Sequence, residues 1–371
     1  MLRNAVTIRK VDGDPGKVYY PLQRMTYSDT EPQKEEVIVT LTAASLNHRD
    51  FFVRQHLYPG TTFGVPLLSD GCGVVTATGL SADAKWWLGK RVILNPGIGW
   101  ESSSEGPEDP AGYRYLGGTK FHTQGTLSET IHSSWLDVEE VPEHLTNTEA
   151  AALPLAGLTA WRALVTKSGA AAPNRNILVT GIGGGVALMA LLFASVMGVN
   201  VYVTSGSEAK LEKARSLGAR GGANYNVKGW EKDLLKLLPA ERPFFDAIID
   251  GAGGEVVTSG TRILKQGGVI VSYGMTIGPK MSYTMSAVLK NIEIRGSTGG
   301  SRQEFRDMVR FVKDHQIRPV ISAVVENALE NLEELDKLFE KMKDKSQFGK
   351  LVVTIQGKAG ASAETQQAQK I

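Results

Sequence analysis

The chain has 371 residues, 42% of them hydrophobic, which is enough for proper cores in about two domains at roughly 100–200 residues each. Lys plus Arg total 41 against 39 for Asp plus Glu, and the net charge of +2 comes without a basic run or aromatic-basic interleaving, so small molecules are expected as partners and nucleic acid is not. Cys72 is the single cysteine, which forbids an intramolecular disulfide; with charges in "MLRNAVTIRKVDGD" where a signal peptide needs an apolar run, a reducing, cytoplasmic setting is expected.

The first 150 residues hold short alternating or β-branched runs, "EEVIVTLTAASLN", "GCGVVTATG", "KRVILNP" and "GTLSETIHSSWLDVE", divided by Gly, Pro and Asn. Such runs predict a compact β-rich domain. Helical pattern returns at "NTEAAALPLAGLTAWRALVTKSG", and the domain boundary is placed near residue 155. From about residue 175 apolar strands without polar alternation ("NILVTG", "VNVYVTS", "FDAIIDGAG", "GVIVSYG") alternate with helix-like segments, which predicts a parallel sheet covered on both faces. The run "VALMALLFASVMGVNVYV", residues 186–203, is long enough for a bilayer, but Gly198 and Asn200 interrupt it and its end turns β-branched. It is read as helix, turn and buried strand, not as a membrane span.

Two amphipathic helices follow residue 300, and "GKLVVTI" predicts a final strand belonging to the N-terminal β domain. The expected organisation is α/β: a β-rich domain over 1–155 completed by 318–357, a doubly wound nucleotide-binding domain over 156–317, and a small, polar, disordered tail over 358–371.

"LVTGIGGGVA", residues 178–187, carries the chemistry of the second domain. A strand ends at Thr180, glycines follow, and an apolar helix starts near Val186, so unpaired N–H groups at a helix start face an approach that no Cβ obstructs. Gly181, Gly184 and Ala187 fit G-x-x-G-x-x-A, the last position needing only a small side chain for close helix-strand packing. A pyrophosphate cradle explains these glycines better than a bare turn. At the end of the second strand, where an NAD site places an acid on the ribose, "VTSGSEAK" offers Thr204, Ser205 and Ser207, and Lys210 lies one turn into the next helix. Hydroxyls and a cation suit a 2′-phosphate, so NADP(H) is the expected cofactor, with Tyr225 closing the adenine or phosphate side. The alternative for Lys210 is a solvated helix charge. The missing acid also argues against an S-adenosylmethionine-dependent methyltransferase.

In chain order, "SLNHRDFFVRQHLYPG", "PLLSDGCGVV", "GKRVILNP", "GTLSETI", "AAALPLAGLTAW", "GIGGGVA" and "FGKLVV" resemble the medium-chain dehydrogenase/reductase superfamily over nearly the whole chain. "LNHRDFF" and "SDGCG" look most like its zinc-free quinone reductase and enoyl reductase branch. The resemblance implies a GroES-like catalytic domain, a Rossmann dinucleotide-binding domain and a homodimer. It places Asn47 and Asp50 near the nicotinamide and substrate, and Thr159 beside the nicotinamide. Gly184, Gly185 and Val186 fall at the pyrophosphate, Ser205, Lys210 and Tyr225 at the 2′-phosphate, and Lys350 near the cofactor. Asn47 and Asp50 also read as a strand-to-helix cap, and both readings can hold.

Zinc-dependent members carry a Cys where this chain has Asn47, and a His-Glu pair where it has Ser69 and Asp70, so no metal is expected. Without a Lewis acid, alcohol oxidation is disfavoured, and hydride delivery from NADPH to a quinone, enone or enal is the expected reaction. A zinc-free alcohol dehydrogenase-like activity is a remote alternative. Phe52 stands where related reductases often have a tyrosine, which removes a possible proton donor and leaves Tyr58 as a substitute, or as packing before Pro59. That departure keeps open a rival function: NADPH binding without useful turnover, in a sensing or structural role. The Gly- and Pro-rich stretch 95–126 is read as a zinc-free replacement for a metal lobe, with Trp100, Tyr113 or Tyr115 turned toward substrate or a second subunit.

Overall fold

A computed structural model describes residues 2–28 and 30–355; the tail expected over 358–371 lies outside them. The chain divides into two units, one holding everything up to Leu155 and the described residues from Ser301 on, the other Ala156–Gly300. The return to the first unit therefore comes at Ser301, earlier than the 318 expected from sequence. The cause is local: the first-turn N–H groups of Arg302 and Gln303 donate to the carbonyls of Trp100 and Glu101 (2.9 and 3.0 Å), and Arg302 Nε and Arg306 Nε donate to Asp137 and Glu139 (3.0 and 2.9 Å). These bonds hold the helix Arg302–Asp314 to the first unit.

That unit is built on a seven-stranded sheet. Its path runs Ile321–Val325, Lys350–Thr354, Glu36–Ser45, Asp70–Thr78, Arg91–Leu94, Val138–Glu140, and Thr130–Ser134 also pairs with Glu36–Ser45. Ser45 lies opposite Asp70 on one side and Val352 on the other. Since both pairings are antiparallel, the end of the Glu36–Ser45 strand meets the starts of Asp70–Thr78 and Lys350–Thr354 at one edge. Three polar strand ends, far apart in sequence, arrive together there.

The second unit holds a six-stranded parallel sheet in the order Gly221–Asn224, Asn200–Ser205, Asn176–Val179, Phe245–Asp250, Leu264–Ser272, Glu293–Gly296. Every residue of Asn176–Val179 and Phe245–Asp250 is buried, as expected of strands covered on both faces. The order reverses between these two strands, and a doubly wound sheet binds ligands outside the carboxyl ends at such a switch point. The apolar run 186–203 resolves into the helix Gly185–Val196, a turn through Gly198 at φ +74°, and the strand Asn200–Ser205. Among the described residues no helix is long and apolar enough to cross a membrane.

Candidate functional site

At the meeting of the three strand ends, Lys350 is 5% exposed and Asp70 is fully buried. The Lys350 ammonium donates to Leu46 O (2.9 Å), Asn47 Oδ1 (2.7 Å) and Asp70 Oδ2 (2.8 Å). An ammonium has three protons, so all are committed. Asp70 Oδ2 also accepts from Asn47 Nδ2 (2.8 Å) and Ser45 Oγ (3.0 Å), and its Oδ1 accepts the Leu155 N–H (2.7 Å). A buried ion pair is tolerated when its remaining lone pairs and protons are satisfied in this way. Lys350, expected near the cofactor, has its three protons engaged with Leu46 O, Asn47 and Asp70.

Asn47 precedes the helix His48–Arg54, where its N–H donates to Asp50 Oδ2 (2.7 Å) and the Asp50 N–H donates to Asn47 O (2.9 Å). The strand-to-helix cap reading therefore describes both residues. Burial pushes the Asp50 carboxyl up to about 6 from an ordinary 3.8, against the neighbouring Arg49 guanidinium and the Asn47 N–H, which lower it. Its raised value gives this carboxyl a mixed protonation state near pH 6.

Arg49 is the residue the sequence reading missed. It lies within "LNHRDFF", where a charge at a helix start reads as surface, yet it is buried. Its Nη1 lies 2.8 Å from Ser69 Oγ and Leu116 O and 3.2 Å from Asp50 Oδ1, while Nη2 donates to Gly117 O (2.8 Å). The Tyr58 ring sits 4.6 Å and the Tyr115 ring 5.6 Å from the guanidinium carbon, so Tyr58 packs against a cation. Phe52 packs edge-on to His48, centroids 4.9 Å apart, and burial holds the His48 imidazole below its ordinary range.

The 95–126 stretch is internally bonded. Glu108 accepts from the N–H groups of Glu101, Ser102 and Ser103 (2.7, 2.8 and 2.6 Å), which pull its carboxyl down to about 2. Trp100 is buried within this stretch, its Nε1–H donating to Ser103 O (2.8 Å) and its ring edge-on to Tyr113, so it is not turned outward toward a partner. Tyr113 in turn packs against Tyr115, the ring beside Arg49.

In the second unit the glycine loop leaves the Asn176–Val179 strand at Thr180. Gly181 adopts φ +63° and Gly183 φ +131°, values that favour glycine. The Gly181 N–H donates to Thr204 Oγ1 (3.2 Å) and the Ile182 N–H to Thr204 O (2.8 Å), which ties the loop to the next strand. Gly184 is the N-cap of the helix Gly185–Val196, with Gly185 and Val186 in its first turn. A Cβ built on Gly181 or Gly184 meets nothing within 4 Å, so the face above the loop is open. Among the described residues Thr159 Oγ1 is buried without a hydrogen-bond partner, a cost of about 1–3 kcal/mol unless a ligand supplies one. Open amides at a helix start and an orphaned buried hydroxyl both fit a nicotinamide dinucleotide.

At the end of the second strand, the Ser207 N–H donates to Ser205 Oγ (3.1 Å) and the Tyr225 N–H to Ser205 O (3.1 Å). A Cβ on Gly206 would fall 2.8 Å from the Tyr225 hydroxyl, so this glycine admits Tyr225 over the Ser205–Ser207 turn. Glu208 accepts from Asn224 Nδ2 (3.0 Å), and Lys210 follows on the same helix, its ammonium held below the ordinary range by partial burial and by Lys213. Ser205, Ser207 and Tyr225 thus converge on one turn.

Residues 33–143 match the alcohol dehydrogenase GroES-like domain, and residues 185–314 match the zinc-binding dehydrogenase domain. A zinc-type alcohol dehydrogenase-like protein YogA of Leptosphaeria maculans is 52% identical over 94% of this chain and 99% of its own length. An acryloyl-coenzyme A reductase of Metallosphaera sedula is 27% identical over 88% of this chain and 94% of its own. The crystal structure of an NAD-dependent alcohol dehydrogenase superposes with a TM-score of 0.82 at 30% identity, covering 95% of this chain and all of that one.

A zinc ion, which the family name implies, does not fit the residues present. Asn47 has both ends of its amide engaged, Ser69 is bonded to a guanidinium, and Arg49 and Lys350 would repel a divalent cation. Among the described residues no group of three or more His, Cys, Asp or Glu could hold a metal, and one cysteine cannot supply a four-thiolate site. With a GroES-like domain, a doubly wound sheet bearing an open glycine loop, and 52% identity to a full-length relative, the chain belongs to the medium-chain dehydrogenase/reductase superfamily of nicotinamide dinucleotide-binding oxidoreductases.

Proposed function

We propose that the protein is an NADPH-dependent, zinc-independent reductase that delivers hydride to activated acceptors, α,β-unsaturated carbonyls or quinones. The observation that carries this reading is the hydrogen-bonded amide-and-cation cluster of Asn47, Ser69, Arg49 and Lys350, in which, by the resemblance, Asn47 and Ser69 replace a Cys and a His of the zinc-dependent members. An unactivated alcohol or ketone needs a Lewis acid on its oxygen; a conjugated acceptor is already electron-poor. The similarity to an acryloyl-coenzyme A reductase supports the same reaction class. The bound cofactor supplies the hydride. The amides of Gly184, Gly185 and Val186 hold the pyrophosphate, and the Thr159 hydroxyl orients the nicotinamide.

Ser205, Ser207, Lys210 and Tyr225 favour the 2′-phosphate of NADP over a bare ribose, although the superposed crystal structure is that of an NAD-dependent enzyme. The Glu293–Gly296 strand is one of the two edge strands of its sheet, and with Ile294, Met285 and Leu289 exposed it suits pairing with a second copy in a cytoplasmic homodimer. Sedimentation should then give twice the chain mass.

The test is oxidation of NADPH and NADH, followed by stopped flow, against one quinone, one enone, one enal and one saturated ketone with EDTA present. Turnover of a conjugated acceptor with NADPH is expected, with the saturated ketone inert. A second reading, NADPH binding without turnover, draws on Phe52, which has no hydroxyl to give. Silence with every acceptor alongside tight NADPH binding would favour it.

A further inference from the structure

The strand Phe245–Asp250 carries a buried aspartate near each end, and the two are paired differently. Asp246, near the amino end, meets three cations: Arg242 Nε at 2.7 Å, Arg175 Nη1 at 3.3 Å and Lys265 Nζ at 3.4 Å. Against the burial that raises it, Arg242, the Asn176 N–H and Lys265 hold its carboxyl below the ordinary range. Asp250, at the carboxyl end, is fully buried, and among the described residues its oxygens meet only neutral donors, the Thr180 hydroxyl on Oδ1 and the Gly253 N–H on Oδ2 (2.8 Å). Burial raises this carboxyl, and the groups that lower it, the Thr180 hydroxyl and the N–H groups of Gly253 and Ala252, carry no charge. Its own charge is felt nearby: the Tyr273 ring packs over Gly251, and burial together with Asp250 pushes the Tyr273 hydroxyl up. A buried carboxylate kept without a cation is costly, and one strand thus holds a neutralised acid at one end and an unneutralised acid at the other.

The unneutralised end is the end that binds ligands. Thr180, whose hydroxyl Asp250 holds, directly precedes Gly181, and its N–H donates to Ile249 O (3.1 Å), so Asp250 adjoins the loop whose outer face is open. A dinucleotide laid across the switch point, with its pyrophosphate on this loop and its adenosine toward Ser205, has its nicotinamide half on the side of Phe245–Asp250 and Leu264–Ser272. All of these residues belong to the second unit. We propose that Asp250 is the counter-charge of the oxidised nicotinamide: its carboxylate favours NADP+ relative to NADPH in this site and so makes the bound reduced cofactor a stronger hydride donor. This rests on the cofactor and reductase readings above and adds to them a residue that acts through its charge rather than by contact.

The reduced nicotinamide ring is neutral and the oxidised ring carries one positive charge. When a hydride passes to the acceptor with both electrons of its C–H bond, the acceptor is reduced, the cofactor is oxidised, and a positive charge appears at the end of the sheet that carries Asp250. Asp250 itself neither gains nor loses a proton. Attraction between charges shielded from bulk water is weakly screened, so it extends beyond contact distance. The phosphates of the cofactor repel the carboxylate in both redox states, and that cost cancels when the two affinities are compared. Asp246 has no such influence to give, because Arg175, Arg242 and Lys265 already neutralise it.

The test is calorimetric binding of NADP+ and NADPH, with NAD+ and NADH in parallel, to the wild type, Asp250→Asn and Thr180→Val at pH 8 without acceptor. Asparagine keeps both hydrogen bonds, since its amide oxygen takes the Gly253 N–H and the Thr180 hydroxyl turns to accept from its NH2 group. For Asp250→Asn the ratio of the NADP+ Kd to the NADPH Kd should rise about tenfold, which is ~30 mV in the two-electron potential of the bound couple. Thr180→Val keeps the charge and loses the hydrogen bond, so its ratio should stay within about threefold of the wild type. An Asp250→Asn protein whose ratio stays within threefold, even with both affinities weakened together, overturns the assignment and leaves the cofactor reading intact. A ratio that moves as far with Thr180→Val reports the loop and not the charge, and overturns it as well. A wild type that binds neither pair of dinucleotides overturns both readings. Should Asp250→Asn fail to fold, Asp250→Ser, which leaves room for water, is measured in the same way. If neither folds, the carboxylate holds the fold and the assignment falls.

Discussion

The polar cluster around Lys350 and the glycine loop after Thr180 differ in what they leave unfinished. Around Lys350 every ammonium proton meets an acceptor, both oxygens of Asp70 are engaged, and both ends of the Asn47 amide are bonded. The loop presents the amides at its helix start to an open face, and the Thr159 hydroxyl of the same unit has no partner among the described residues. A cluster closed on itself holds the fold and shapes what lies beside it. A loop open on one side is stable without its ligand and is explained only by one. Substitutions in the two places should therefore fail in opposite ways, one in stability and the other in binding.

The largest effect is expected from Lys350→Met. It leaves the Asp70 carboxylate buried without its cation, at about 3–5 kcal/mol, which lowers the thermal midpoint by roughly 10 °C. NADPH affinity of the folded variant, measured in the cold, should change less than threefold. A much weaker affinity at unchanged stability would place Lys350 at the cofactor after all. Gly184→Val should do the reverse: its Cβ has open space and its φ is −79°, so the apo midpoint should hold within about 2 °C. The branched side chain fills the space a pyrophosphate needs, and binding should weaken by about a hundredfold, or ~2.7 kcal/mol.

A smaller effect separates the cap role of Asp50 from its ionisation. Its carboxyl lies at about 6 in the folded protein against 3.8 ordinarily, so between these values the folded state binds more protons than the unfolded one. Stability from this group is fully present below about pH 4 and is lost as pH rises through 6, by roughly 2–3 kcal/mol. Asp50→Asn has no such titration, so its midpoint relative to wild type should climb between pH 4 and 7. A constant difference across that range would show that the carboxyl is not raised.

Much of this was legible before any coordinates. "FDAIID" is apolar apart from its acids and is buried throughout, because a parallel strand covered on both faces has no reason to alternate. The glycine loop was readable because strand, glycines and helix are contiguous. The Lys350–Asp70 pair spans 280 residues, and only the antiparallel register of three strands brings it together. Arg49 was hidden for a related reason: its acceptors Leu116 and Gly117 lie 67 and 68 residues away in a stretch with no periodicity, so nothing beside "HRD" announces that the charge is buried. The early return at Ser301 likewise depends on carbonyls of Trp100 and Glu101, which no pattern near residue 300 reveals.

The finest distinction concerns the open side of the comparison, where Lys210 is either a ligand for the 2′-phosphate or a helix charge beside it. Partial burial and Lys213 hold its ammonium below the ordinary range in the free protein. A 2′-phosphate set against it would favour the charged form and raise it again, so NADPH binding near pH 10 should draw a proton from solution. The phosphate itself is fully ionised there and contributes none. Calorimetry in two buffers of different ionisation enthalpy should show proton uptake with NADPH and none with NADH. Lys210→Ala should abolish that uptake and weaken NADPH about tenfold, or ~1.4 kcal/mol, leaving NADH unchanged. If uptake survives the substitution, the proton goes to another group at that turn and Lys210 is only a neighbour. If NADPH and NADH show no difference in the wild type, the Ser205–Ser207 turn does not read the phosphate, and the preference for NADPH falls with it.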